Sequence, residues 1–185
     1  MKTSRGGTNN LVSGAKASAD FEEVFLPHLD AAYNLARWLT RDPSDADDVV
    51  QEAFMRAFRF FSGFHGGDSR AWLLKIVRNT CYTWIKKNRP REIIYELDEE
   101  MHQATSGDPA TVLQENIDRQ LLRKLLDELP PAFREIIVLR DLEGLSYKEI
   151  SSVTDLPLGT VMSRLARARK RLQSDATATA TGVLG

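Results

Sequence analysis

From Phe21 to Leu172 the apolar residues recur every three or four positions, and no run of alternating β-branched residues interrupts them. That period belongs to helices buried along one face, so the chain is predicted to be all-α. Glycine and proline fall mainly between the periodic segments, where they punctuate rather than break them.

The first stripe is Phe21, Val24, Phe25, Leu29, Ala32, Leu35, Ala36 and Leu39, with Asp20 and Glu23 as a capping-box-like start and Pro27 marking a kink. A turn at Arg41-Asp42-Pro43 follows, with Ser44 as the expected N-cap of the next helix. That helix turns Ala46, Val49, Val50, Ala53, Phe54, Ala57, Phe58 and Phe61 inward and Asp48, Gln51, Glu52, Met55 and Arg59 outward. Ser62-Gly63-Phe64-His65-Gly66-Gly67 is too rich in glycine for a helix and reads as a loop. From about Ser69 to Lys87 a third helix buries Leu73, Ile76, Val77, Thr80, Cys81 and Ile85, with Trp72 and Trp84 on the same side. Its other side collects Lys75, Arg78, Asn79, Tyr82 and Lys86, until Asn88-Arg89-Pro90 stops it.

The second half repeats the logic with different punctuation. Asp108-Pro109 is a start signal, Leu113 to Leu129 carries a helix to Pro130-Pro131, and Phe133, Ile136, Ile137 and Leu139 carry another to Gly144. Ser146-Tyr147-Lys148-Glu149 is a capping box, Thr154-Asp155-Leu156-Pro157 a turn, and a last helix from about Leu158 turns Val161, Leu165, Ala168 and Leu172 inward. The expected organisation is a loose tail over 1–19, a helical domain over 20–90, an acidic linker over 91–107, a second helical domain over 108–174 and a frayed tail over 175–185.

Formal net charge is only −1, from 25 basic and 26 acidic residues, but the signs are segregated. Arg70 to Arg91 contains no acid, Glu92 to Asp118 no base, and Arg164, Arg167, Arg169, Lys170 and Arg171 crowd one helix. Two basic blocks around an acidic one point to two anion-binding surfaces on separate units. A short helix, a tight turn and a helix with a basic outer face make a helix-turn-helix, whose second helix enters the major groove. Thr160, Ser163, Arg164, Arg167 and Arg171 lie at its predicted outer rotation, where Arg164 and Arg167 could reach guanine edges or phosphates. In the first block, aromatics interleave with bases, which suits unstacked single strands. Phe64, in its glycine loop, is placed to wrap an extruded base.

Enzymatic chemistry has no constellation to stand on, and no cofactor is expected. His28, His65 and His102 lack metal-ligand spacing, and the Gly63–Gly67 loop lacks the Gly-Lys-Ser/Thr of a phosphate-binding loop. Asp45, Asp47, Asp48 and Glu52 crowd a helix start, where acids favour the dipole. A single cysteine excludes an intrachain disulfide. With no signal-peptide pattern and no uncharged stretch near the ~20 residues of a membrane span, a cytoplasmic protein is expected.

Asp45-Ala46-Asp47-Asp48-Val49-Val50-Gln51-Glu52-Ala53-Phe54 resembles the core-polymerase-binding motif of bacterial sigma factors, and Ser69 to Asn79 resembles their promoter-melting segment. Leu129-Pro130-Pro131-Ala132-Phe133-Arg134-Glu135, Gly144 to Ile150 and Leu158 to Leu165 are similar to their C-terminal domain. With only these two domains, the chain resembles an extracytoplasmic-function (ECF) sigma factor of the sigma-70 family. The resemblance implies that Asp47, Asp48, Gln51, Glu52 and Met55 dock core RNA polymerase, through its β and β′ subunits. It implies that Phe64, Trp72, Lys75, Arg78, Asn79, Tyr82 and Lys86 hold the melted −10 element, and that Thr160, Ser163, Arg164, Arg167 and Arg171 read the −35 element. The linker would thread toward the RNA exit channel, and an anti-sigma factor would cover both binding surfaces. Two alternatives share the fold: a sigma-like decoy that titrates an anti-sigma factor, and a helix-turn-helix regulator that works without polymerase.

Overall fold

The computed structural model describes residues 8–91 and 119–182, and every regular element among them is helical. Helix α1 spans Thr8–Phe25 and passes into a 3-10 turn at Leu26–His28, where Pro27 removes a donor from the helical ladder. Helix α2, Leu29–Thr40, ends at Arg41, whose φ of 64° turns the chain left-handed while its N–H still reaches Arg37 O. Helix α3, Pro43–Phe60, starts one residue earlier than its expected cap. Asp42 rather than Ser44 is the N-cap, accepting from Ser44 N at 2.8 Å and Asp45 N at 3.1 Å. The cause is Pro43, which suits the first helical position and forces the residue before it into the extended conformation a cap needs. Helix α4, Ser69–Asn88, is capped by Asp68, which accepts from Ala71 N at 2.9 Å.

In the second half α5 spans Arg119–Glu128 and α6 spans Pro131–Ile137, continued by a π-helical turn at Val138–Leu142. Gly144, with φ of 71°, reverses the chain in a conformation only glycine adopts cheaply. The capping box is present with both bonds: Glu149 N donates to Ser146 Oγ and Ser146 N to the Glu149 carboxylate. It opens α7, Tyr147–Thr154, which a left-handed Asp155 separates from α8, Leu158–Gly182.

Phe25, Leu35, Leu39, Val49, Ala53, Leu74, Val77 and Ile85 form the interior of the first bundle, and Leu126, Ile136, Leu139, Ile150, Val161 and Leu165 that of the second. The two bundles touch: α4 lies against α7, and α2 against α6. The acidic linker expected over 91–107, beyond Arg91, and the start signal at Asp108-Pro109 lie outside the described residues.

Three further expectations are corrected. The tail expected over 1–19 is helical from Thr8, and the tail expected over 175–185 continues α8 to Gly182. Ala15, Ala17 and Ala19 before Phe21, and the alternating alanines after Ser174, are good helix formers that extend an existing helix without needing a buried face. Phe58, expected inward, is 47% exposed, in an edge-to-face contact with the Phe21 ring at 5.2 Å.

Candidate functional site

The outer face of α3 matches its expected composition. Asp47, Asp48, Gln51 and Met55 are exposed, and Glu52 is half-buried, held by Arg56 Nε at 2.7 Å one turn on. The acids cluster at the positive end of the helix dipole. Toward the C-terminal end Met55 and Phe58, one turn apart, are 51% and 47% exposed on this side, and Phe60, on another side of the helix, is 59% exposed. Exposed apolar side chains beside charged ones mark a surface for another protein. The periodic reading places Phe58 in the core because an aromatic at helical spacing is ordinarily buried, and it leaves Phe60 unassigned.

The loop before α4 is anchored more firmly than its glycines imply. Phe64 packs into an aromatic cluster, 5.4 Å from the Phe25 ring centroid and 5.3 Å from that of Trp72. Trp72 itself stacks on Phe25 at 5.1 Å and an interplanar angle of 29°. Phe64 is therefore half-buried, not the loose wrapping residue expected of its loop, because three neighbouring rings offer it more contact than solvent does.

The basic side of α4 divides in two. Asn79 and Lys86 are exposed, whereas Lys75 and Arg78 face the second bundle. Lys75 Nζ pairs with Asp155 at 2.6 Å. Arg78 grips the carboxylate of Glu135 with two bonds, Nε to Oε2 at 2.7 Å and Nη2 to Oε1 at 3.1 Å, and lies 4.5 Å from the Tyr82 ring. Cys81 is fully buried behind them, where burial and then the Glu135 charge push its thiol far above the ordinary range. It is a core residue.

On α8, Thr160 and Ser163 are half-buried, and Ser163 Oγ donates to Thr160 O at 3.1 Å. Arg167 lies 5.8 Å from the Phe133 ring, and Arg171 reaches toward Asp175 one turn on. Arg164 departs from expectation. It is only 5% exposed, with Nη1 3.9 Å from Glu135 Oε1. Three residues after Val161 and four before Ala168, it flanks the core stripe, and the buried carboxylate draws its guanidinium inward.

Two residues that the periodic reading leaves unassigned hold this arrangement. Glu135 is completely buried, and Arg134 is 1% exposed with bonds to carbonyl oxygens of both bundles. Their only signal is a charged pair inside the apolar run from Phe133 to Ile137. Among the described residues no group of three His, Cys, Asp or Glu could hold a metal ion, and no helix is long and apolar enough to cross a membrane.

Residues 24–91 match the family model for sigma-70 region 2, and residues 119–172 that for sigma-70 region 4. The chain is 36% identical over 160 residues to the ECF RNA polymerase sigma factor SigE of Mycolicibacterium smegmatis, covering 85% of this chain and 62% of that protein, so it spans less than two thirds of that relative's length. It is 34% identical over 139 residues to the ECF RNA polymerase sigma-E factor of Escherichia coli, covering 70% of this chain and 73% of that protein. Among solved structures it is similar to the Bartonella quintana sigma factor RpoE in complex with the anti-sigma factor NepR, with a TM-score of 0.65, 30% identity and coverage of 84% of this chain and 95% of that one. It is also similar to CnrH in complex with the cytosolic domain of CnrY, with a TM-score of 0.63, 26% identity and coverage of 89% and 94%. Two regions in the family's order, one on each bundle, together with the 34% identity to a relative covered over 73% of its length, place this chain among the ECF sigma factors of the sigma-70 family.

Proposed function

We propose that the chain binds core RNA polymerase in the cytoplasm and directs it to promoters, opening the −10 region. It directs the chemistry of another enzyme and has none of its own. The observation that carries this reading is the outer face of α3, where Asp47, Asp48, Gln51 and Met55 stand exposed on one helix beside Phe58. A helix-turn-helix regulator acting alone has no use for such a face. The polymerase contact is assigned to its β′ subunit, with the β subunit as a further neighbour. The −10 strand is assigned to Lys75, Arg78, Asn79, Tyr82 and Lys86, with Phe64 and Trp72 as a fixed aromatic floor. The −35 duplex is assigned to Thr160, Ser163, Arg167 and Arg171, with Arg164 at its buried edge. The likeness to a sigma factor held by an anti-sigma factor supports an anti-sigma partner here as well.

The test is co-purification with core polymerase followed by run-off transcription. Asp48→Arg with Glu52→Arg reverses two charges outside the core, so folding is expected to change by no more than about 0.5 kcal/mol. Polymerase binding should be lost. A double variant that still co-purifies and supports transcription would move the docking face elsewhere, and a wild-type chain that never binds polymerase would favour the decoy.

A further inference from the structure

We propose that Leu158 and Met162, on the first turns of α8, read thymine methyl groups in the −35 element, so that this chain selects T·A pairs there by apolar contact. The inference deepens the proposed function and rests on its reading that α8 enters the major groove.

The inward residues of α8 are Val161, Leu165, Ala168 and Leu172, each without solvent exposure. Leu158 and Met162 stand apart from them and belong to no part of the hydrophobic core. Leu158 is 49% exposed and Met162 half-buried, and at a spacing of four residues they lie one turn apart on the same side of the helix. A single exposed apolar residue is ordinary on a protein surface. These two sit at the end of a recognition helix whose N-terminal residues meet base edges. In the major groove the one apolar group a base pair presents is the thymine methyl. Met162, unbranched and with a polarizable thioether, adapts its shape to such a contact.

Gly159, between them, supplies a second observation. Gly66, Gly67 and Gly144 have positive φ, which accounts for glycine at those positions, but Gly159 does not. A Cβ built on Gly159 would meet no atom within 4 Å. Alanine would fit there and favour the helix more. Neither the backbone nor packing within the described residues therefore calls for glycine, whereas close approach of another molecule does. The major groove is about 12 Å wide, and a helix with its side chains is about 10–12 Å across. A first turn without a side chain at Gly159 seats deep enough for its apolar neighbours to reach the methyl groups.

The commonest alternative is an arginine bidentate on guanine. Arg164 is 5% exposed with Nη1 3.9 Å from Glu135 Oε1, and Arg169 pairs with Asp141. Both guanidiniums are drawn to carboxylates of their own bundle, which leaves the first turns of α8 to apolar and hydroxyl side chains.

The test uses the full chain bound to core polymerase. Duplexes are selected from a pool randomised over the −35 region, and each thymine of the selected element, on either strand, is replaced in turn by deoxyuridine, which lacks only the methyl group. Affinity should fall about fourfold for each methyl in contact, the worth of one buried methyl group, at one or two neighbouring positions. In Met162→Ala and Leu158→Ala the thymine and deoxyuridine duplexes should bind alike at the corresponding position. Each comparison sets two duplexes against one protein, so any change in folding cancels. Gly159→Ala should keep or raise the urea midpoint and lose affinity for every −35 duplex.

An element in which no thymine methyl matters overturns the proposal, as does a methyl effect that persists in the double variant Leu158→Ala with Met162→Ala. Wild-type affinity in Gly159→Ala overturns the close approach on which the contact depends. A polymerase-bound chain that selects no −35 sequence overturns the groove assignment itself, and so places the failure in the proposed function.

Discussion

The guanidinium of Arg134 donates to the backbone carbonyl of Trp38 at 3.1 Å, across the boundary between the two bundles. The same side chain reaches Leu39 O at 3.4 Å and, in its own bundle, Leu126, Asp127 and Leu129 O at 2.8, 3.0 and 2.5 Å. Trp38 and Leu39 belong to the last turn of α2, and Leu126 and Asp127 to the last turns of α5. Carbonyls there lack partners within their helices and carry the negative end of the dipole. One buried cation thus caps two helices from two bundles. Burial, and next the charge of Arg41, pull the Arg134 guanidinium down to about 10, which still leaves it cationic near neutral pH.

Arg134→Met should therefore be among the most damaging single changes. It retains much of the volume but strands several buried carbonyl oxygens, for an expected loss of about 2–4 kcal/mol. Urea unfolding followed by circular dichroism measures it. A variant within about 0.5 kcal/mol of wild type would show that water caps these helices as well as the arginine does.

Arg164→Ala separates a base-reading residue from one that holds the helix in place. A base reader would relax preference at one position of the −35 element, at a cost of about 1–3 kcal/mol. The burial of Arg164 beside Glu135 predicts a different pattern. The second bundle should lose about 1–3 kcal/mol of stability, and recruitment to every −35 sequence should weaken to a similar extent. Unfolding by urea, together with holoenzyme binding to a panel of −35 variants, distinguishes the two. Relaxed preference at one base pair with unchanged stability would return Arg164 to the groove.

What the sequence makes legible here is local. The Ser146–Glu149 capping box, the left-handed turn at Asp155 and the stripe Val161, Leu165, Ala168 and Leu172 depend on residues within a few positions of each other. The exposed acids of α3 follow from the same periodicity. Illegible were the features set by contacts distant along the chain. The burial of Glu135 depends on Arg78, 57 residues earlier, and a charged residue in a stripe gives no sign of which partner will bury it. Phe64 misled in the opposite direction, since a glycine loop says nothing of the Phe25 and Trp72 rings awaiting it. The tails misled because helix propensity without an apolar face leaves no periodic trace.

Phe64→Ala tests both roles of that ring. Its contacts with Phe25, Phe61 and Trp72 predict a loss of about 1–3 kcal/mol from the first bundle, even though the residue sits in a loop. Phe64→Leu should recover part of that stability while lacking a flat face for an unstacked base. If the ring also serves the −10 strand, Phe64→Leu should slow promoter opening in permanganate footprinting, and a template already mismatched across the −10 region should rescue it. Full activity of Phe64→Leu on duplex promoters would confine Phe64 to packing.

His28 supplies a pH dependence whose sign follows from its neighbours. Its Nε2 shares a hydrogen bond of 2.9 Å with Ser69 Oγ at the start of α4. Burial first, and then the charge of Arg70, lower its pKa from 6.5, with Asp68 opposing. The folded state therefore takes up a proton less readily than the unfolded chain. Its contribution is fully present above 6.5 and is lost as pH falls through the lowered value. His28→Gln retains a hydrogen-bonding partner for Ser69 and removes the titration. Between pH about 7.5 and about 5.5 the wild-type urea midpoint should fall further than that of His28→Gln, with the two curves converging toward neutral pH. Equal slopes for the two proteins would assign the acid sensitivity of the first bundle to its carboxylates instead.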